Sequence, residues 1–189
     1  MESALIITLS EKSVAYFNEM LGAVSVGQIV VLSNCGDARR LVLERDFDLV
    51  IINAPLRDET GESLARDIAM KGISQVIIVV GSEHFDAVCE VCENDGVLTI
   101  SRPINRSVFW ATLKLAKSAH SRILHMRAEN NKLKQKIDDI RIIDRAKCIL
   151  ISYLNMNEQQ AHRYIEKQAM DMRMSKRAIA EGILKTYES

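Results

Sequence analysis

Six basic residues in the last third of the chain, Lys147, Arg163, Lys167, Arg173, Lys176 and Arg177, are the side chains best placed to do chemistry. That chemistry is attraction to a polyanion: lysines attract phosphate without regard to sequence, and arginines can also stack on splayed bases. All six fall off the apolar positions of helical repeats between Arg141 and Ile183. The formal net charge of zero conceals a split, because residues 1–105 carry 8 Lys and Arg against 16 Asp and Glu, whereas residues 106–189 carry 17 against 9. Such asymmetry marks two functional units, the second suited to a polyanion. Charge alone leaves a plainer alternative open, in which long helices simply carry solvated basic faces.

Other chemistries lack their residues. No nucleophile–base pair, phosphate-cradling loop or metal cluster is evident, so neither enzymatic activity nor a cofactor or metal is expected. Cys89 and Cys92 form a lone CxxC inside a predicted helix, and His84 alone does not supply a second ligand pair for zinc. They read as structural cysteines. Four cysteines without an export signal point to reduced thiols and a cytoplasmic protein. No apolar run reaches the roughly 18 to 20 residues that span a bilayer, so no membrane partner is expected.

Five short apolar runs organise the first hundred residues: Leu5–Leu9, Ile29–Leu32, Leu49–Ile52, Val76–Val80 and Val97–Ile100. They are nearly continuous and rich in Val and Ile, which suits strands buried on both faces of a parallel sheet. Helix-compatible stretches lie between them at Ser13–Leu21, Asp37–Arg45, Gly61–Met70 and Phe85–Asn94. The alternation predicts an α/β, doubly wound, parallel five-stranded domain over residues 1–118, with function at the carboxyl ends of its strands.

DLVIINAPL, from Asp48 to Leu56, and SRPIN, from Ser101 to Asn105, resemble the third- and fifth-strand motifs of the receiver domain of bacterial response regulators, a flavodoxin-like fold. The resemblance places Asn53 at the phosphoacceptor position, Arg102 at the lysine position, Ser10 and Glu11 at the acidic metal-binding pair, and Val80 near the switch hydroxyl. A carboxamide does not form an acyl phosphate as a carboxylate does. One remaining acid is a poor Mg²⁺ site, and valine cannot hydrogen-bond a phosphoryl oxygen. The expectation is a pseudo-receiver that does not use phosphorylation and serves as a protein-binding or dimerising platform.

Between Pro103 and Gly182 there is neither proline nor glycine, and a heptad pattern covers residues 107–143. With Phe109 at position a, Ala116, Ile123, Asn130 and Ile137 follow at a, while Thr112, Ala119, Met126, Leu133 and Ile140 occupy d. This predicts a coiled-coil linker helix and a homodimer held through Ile123, Met126, Asn130, Leu133, Ile137 and Ile140. An asparagine at a favours a paired, in-register coil at some cost in stability. In a parallel pair Glu129 would meet Lys134, but Arg122 would face Arg127 and Lys136 would face Arg141, which weakens the seam. The alternative is a helix packed on its own first domain, and that is the expectation for Phe109 to Ala116.

The seam helix continues through Ile143, Ala146, Ile149 and Leu150. Asn157 with Gln160 forms a capping-box pattern opening a second helix, whose apolar face reads Ala161, Tyr164, Ile165, Ala169 and Met172. Ser175 is a plausible cap for a third helix carrying Ile179, Ile183, Leu184 and Tyr187. The pairs Ala146-Lys147, Ala169-Met170, Ile179-Ala180 and Ile183-Leu184, with Glu158 and Ala161, resemble the ANTAR domain of transcription antitermination regulators. Cys148 and Glu166 depart from its pattern, where glycine and a basic residue are common. The resemblance implies a three-helix all-α RNA-binding domain over residues 137–189. It also implies dimers that bind RNA stem-loops in nascent transcripts and prevent transcription termination. The Ala and Met positions are expected in the core, and Tyr164, which could stack on a base, is by its spacing a core residue first. A DNA-binding response-regulator-like transcription factor and a protein-interaction scaffold are the alternatives, and with phosphorylation set aside a regulatory partner protein is one source of control.

Overall fold

A computed structural model of the chain describes residues 1–24 and 26–187. It divides into two compact units between Met126 and Arg127.

The first unit is a five-stranded, all-parallel sheet: β1 (Ser3–Ile7), β2 (Gln28–Leu32), β3 (Leu49–Asn53), β4 (Gln75–Gly81) and β5 (Leu98–Arg102). Its order is β2-β1-β3-β4-β5. The connections are α1 (Glu11–Gly22), α2 (Cys35–Glu44), α3 (Glu62–Met70) and α4 (Phe85–Cys92). The doubly wound α/β class expected from the alternating runs is the one observed. Side chains along a strand alternate faces, so the continuous apolar runs supply two cores at once. Leu5, Ile7, Val50, Ile52, Val76, Ile78 and Val80 pack with residues of α2, α3 and α4 on one face. Ala4, Ile6, Leu49, Ile51, Ile77 and Val79 pack on the other with Phe17, Met20 and Leu21 of α1.

The second face is closed by the start of α5 (Arg106–Leu154), a single helix of 49 residues. Phe109, Leu113 and Ala116 are buried in that core. The Phe109 ring lies 5.4 Å from that of Phe17 and 5.7 Å from that of Tyr16, centroid to centroid. The packed-helix alternative therefore holds for Phe109 to Ala116, as expected. The second unit contains the remainder of α5 with α6 (Glu158–Met172) and α7 (Lys176–Tyr187). The last two residues of the expected 137–189 domain lie outside the described residues.

One polar contact ties α5 to the lower edge of the sheet. The buried His120 places Nε2 3.1 Å from Oδ1 of Asp48, which precedes β3. Asp48 also accepts hydrogen bonds from the backbone N–H groups of Glu2 and Ser3. Burial pushes the Asp48 carboxyl up, but those donors and His120 outweigh it and hold it below the ordinary carboxylate value. A carboxylate with a lowered native pKa adds stability above its unfolded value of about 3.9, and the gain is lost as pH falls through the native value. Asp48→Asn is expected to cost about 1.5–3 kcal/mol near neutral pH. Urea titrations of both proteins at descending pH should show the gap closing in acid; a gap independent of pH counts against the ionic account.

Candidate nucleic-acid interface and receiver pocket

Strand β3 ends at Asn53, beside β1 at the point where the sheet order reverses. Asn53 is buried, and its Nδ2 donates to Thr8 Oγ1 at 3.0 Å and to Ser13 Oγ at 3.1 Å, while its Oδ1 has no partner. The residue of the β1 end that meets Asn53 is thus Thr8, not Ser10 or Glu11. The reason is local: β1 stops at Ile7, and Ser10 already caps α1, accepting from the Ser13 N–H at 3.3 Å. Glu11 is exposed on the first turn of that helix. Val80 is buried at the end of β4, and Arg102 turns its guanidinium to the Ala54 carbonyl at 2.6 Å. The amide and hydroxyl groups that meet at Asn53 are uncharged, and none is the carboxylate that would take up a phosphoryl group as an acyl phosphate.

The nearest acids of the following loop are committed elsewhere. Asp58 accepts from the Cys35 and Gly36 N–H groups at 3.0 and 2.9 Å, which adds a carboxylate to the N-terminus of α2. Those donors hold its carboxyl below the ordinary value. Glu59 pairs with Arg39 at 2.9 Å. Ligand atoms of Cys35, Asp58 and Glu59 lie within 4.8 Å of one another. Burial first, and then Asp58, pushes the Cys35 thiol up to about 11, so it is protonated in the unliganded protein. Gly61 closes the loop at φ 93, where an added Cβ would lie 2.9 Å from Ile52 Cγ2. Cys92 is buried in α4 and Cys89 is half-buried, as expected for structural thiols.

In the second unit, α5, α6 and α7 pack through Ala146, Leu150, Ala161, Ile165, Ala169, Ile179 and Ala180. The predominance of alanine leaves the helices little side-chain bulk to separate them. Asn157 and Gln160 form both capping-box bonds, each 2.9 Å. Ser175 Oγ accepts from the Ala178 N–H at 3.1 Å and starts α7. Helix α6 ends with Arg173 in the left-handed region at φ 54, the Met174 N–H reaching the Ala169 carbonyl at 3.0 Å and the Arg173 N–H reaching that of Met170 at 3.3 Å. This is a Schellman closure whose left-handed position is usually glycine.

Two expectations about the core are corrected. Met170 and Met172 are 79% and 59% exposed, and Tyr164 is 38% exposed and stands outside the core cluster. The buried residues of α6 are Ala161, Ile165 and Ala169, spaced by four, so the packed stripe is narrow. Tyr164 lies about 100° round the helix from Ile165.

The six basic residues separate into two groups. Lys147, its side chain 15% exposed, pairs with Asp144 at 2.7 Å and Glu158 at 3.5 Å, and the Asp144 contact raises its pKa. Lys176 is bonded to Glu166, whose carboxyl this contact holds down. Arg177 reaches Asp139 and Glu181, both at 2.8 Å. Arg163, Lys167 and Arg173 are exposed and have no ion pair among the described residues. Exposed pairs such as those of Lys176 and Arg177 are weak, but Lys147 is fixed between α5 and α6. Spacing signals the local pairs of Lys147 with Asp144 and of Arg177 with Glu181, but not the contacts to Glu158, Glu166 and Asp139, which come from other helices.

Along the second part of α5 the heptad residues present an apolar face. Met126, Leu133, Ile137 and Ile140 are exposed, Asn130 is exposed among them, and Ile123 is half-buried.

The fold is that of a receiver-like α/β domain followed along the chain by a long helix and two shorter ones, and the sequence of this last part is similar to an ANTAR domain. The ANTAR domain model matches residues 131–184. The chain is 24% identical, over 159 residues, to the transcriptional regulatory protein PdtaR of Mycobacterium tuberculosis, covering 82% of this chain and 78% of that protein. Its fold is similar to a response regulator receiver domain protein from Clostridium thermocellum, at a TM-score of 0.56 and 18% identity over 67% of this chain and 99% of that one. It is also similar to the adenylate cyclase of Rhodopirellula baltica, at a TM-score of 0.58 and 12% identity over 70% and 97%. At such identities the likeness is one of fold and carries no activity with it.

Proposed function

We propose that the protein is a dimeric, non-enzymatic RNA-binding regulator that binds hairpins in nascent transcripts and prevents transcription termination, without phosphorylation of its receiver-like domain. The observation that carries this reading is the exposure of Arg163, Lys167 and Arg173, which have no ion pair among the described residues, on a segment similar to an ANTAR domain. Cations without internal partners exchange only counterions for phosphate, whereas Lys147 would first have to leave two carboxylates. The dimer is supported by the heptad face of α5, where bulky apolar side chains stand exposed in the single chain. A homodimer through residues Ile123, Met126, Asn130, Leu133, Ile137 and Ile140 would cover them.

Arg173 offers a test that separates binding from stability. A non-glycine residue in the left-handed region costs roughly 1–2 kcal/mol, so Arg173→Gly is expected to raise the melting temperature. The same change removes one phosphate-binding cation. Affinity for a two-hairpin RNA should therefore fall, and the slope of log affinity against log salt should lessen by about 0.7–0.9. Equal binding of the wild type to random duplex DNA would sink the RNA reading and favour the DNA-binding alternative.

The account of the receiver pocket rests on Asn53 and its hydroxyl partners. Incubation with acetyl phosphate and Mg²⁺ is expected to leave the intact mass unchanged. A gain of one phosphoryl group mapped to residues 1–105 would refute it.

A further inference from the structure

We propose that Tyr164 is a stacking platform for an unpaired RNA base and that Lys167 and Arg163 hold the adjoining phosphates, so that α6 recognises the single-stranded part of a hairpin. The inference rests on the RNA-binding reading above and assigns the contact surface within it.

Tyr164 is the first observation. It is 38% exposed, and it has neither a ring partner nor a hydrogen bond among the described residues. The other aromatic side chains of this unit differ: Tyr153 and Tyr187 pack against each other, tilted by 42° with centroids 5.3 Å apart. An exposed aromatic ring without a partner has one face free for stacking, and every base has a π-face to offer.

The second observation is the charge beside it. Arg163 precedes Tyr164 and Lys167 follows it by three, which makes Lys167 a neighbour on the helix surface. Both are exposed and unpaired among the described residues. Met170 continues the Arg163–Lys167 row at the next turn and is 79% exposed. Gln168, at i+4 from Tyr164, carries an amide with both a donor and an acceptor for a base edge. Asp171, two turns from Tyr164 and four residues beyond Lys167, is exposed and has no ion pair among the described residues, and its charge ends the phosphate track at Lys167.

The occupant follows from this combination. A fully paired helix presents stacked bases and a phosphate surface, and an isolated tyrosine gains nothing from it. A looped strand presents splayed bases, which proteins bind by stacking on aromatic side chains. An acidic protein segment would satisfy Lys167 and Arg163 but would leave the ring unused.

The experiment uses the full chain and two fluorescein-labelled RNAs with one stem sequence, a hairpin pool with a randomised loop and a blunt duplex without a loop. Tyr164→Ser is expected to weaken hairpin binding by about 5- to 150-fold. It should leave the salt slope unchanged and leave duplex binding as it was. Tyr164→Phe should restore hairpin affinity because the ring suffices, and it shows that the site tolerates replacement even if the serine variant folds poorly. Lys167→Gln should instead lessen the salt slope by about 0.7 on the looped strand. Wild-type affinity in Tyr164→Ser, or equal losses on hairpin and duplex, overturns the platform while leaving RNA binding intact. Failure of the wild type to bind either RNA overturns both readings.

Discussion

Leu133→Lys is expected to convert the proposed dimer to a monomer and to lower its affinity for a two-hairpin RNA by about 100- to 10,000-fold. Leu133 occupies a d position of the α5 heptads and is 59% exposed in the single chain. In a paired helix it would meet its own copy, so the substitution puts two ammonium groups into one apolar layer. Lysines in such a seam lack a carboxylate partner, and uncompensated buried charge costs several kcal/mol. The seam has little reserve against that cost, because Asn130 already places an amide at the neighbouring a position. The loss on the two-hairpin RNA would be one of avidity: two linked modules bind the second hairpin at a high effective concentration, and separated modules do not. Affinity for a single hairpin should change little. Light scattering at micromolar concentration with parallel RNA titrations checks both parts. A wild-type monomer, or a Leu133→Lys dimer with intact affinity, contradicts the coil.

Phe109→Ala should be among the most damaging single changes in the first unit, at about 3–5 kcal/mol. The Phe109 ring is fully buried between Phe17 and Tyr16 of α1 and the strand residues Ile6, Ile51 and Val79 of the same core. It is the first large side chain by which α5 is packed on the sheet. Its removal leaves a cavity that rigid neighbours fill only in part. The midpoint of urea unfolding, followed by the fluorescence of Trp110 one residue on, should drop accordingly. Substitution of the adjacent exposed Val108 by alanine is the control and should cost little. If Phe109→Ala costs no more than that control, α5 is not held by this cluster.

Much of the architecture was legible because it is written in local periods. Val and Ile runs bounded by turn residues located all five strands, and the capping signals at Asn157 and Ser175 located the starts of α6 and α7 to within a residue. Heptad spacing distinguished the exposed Met126–Ile140 face from the buried Phe109–Ala116 segment only with the help of composition, since both obey one repeat. The site was less legible. Helical spacing assigned Tyr164, Met170 and Met172 to a core that is narrower than the pattern, because alanines at four-residue intervals bury a thin stripe. Motif alignment placed Ser10 and Glu11 two or three residues beyond Thr8, the position that meets Asn53.

The sequence by itself determined which residue types are available: a carboxamide at position 53, a charge surplus in the second half, an apolar heptad row and an ANTAR pattern. Those properties depend on identity and near-neighbour spacing, which the chain carries before it folds. Only the tertiary structure decided which of the six cations are engaged and which stand open. Lys147, already paired with Asp144 on its own helix, is held on its other side because Glu158, at the start of α6, comes back to it, and Arg177 reaches beyond Glu181 because Asp139 of α5 lies beside α7. Among the described residues, no carboxylate is brought within ion-pair distance of Arg163, Lys167 or Arg173. An ion pair depends on distances between elements, and those are fixed by packing.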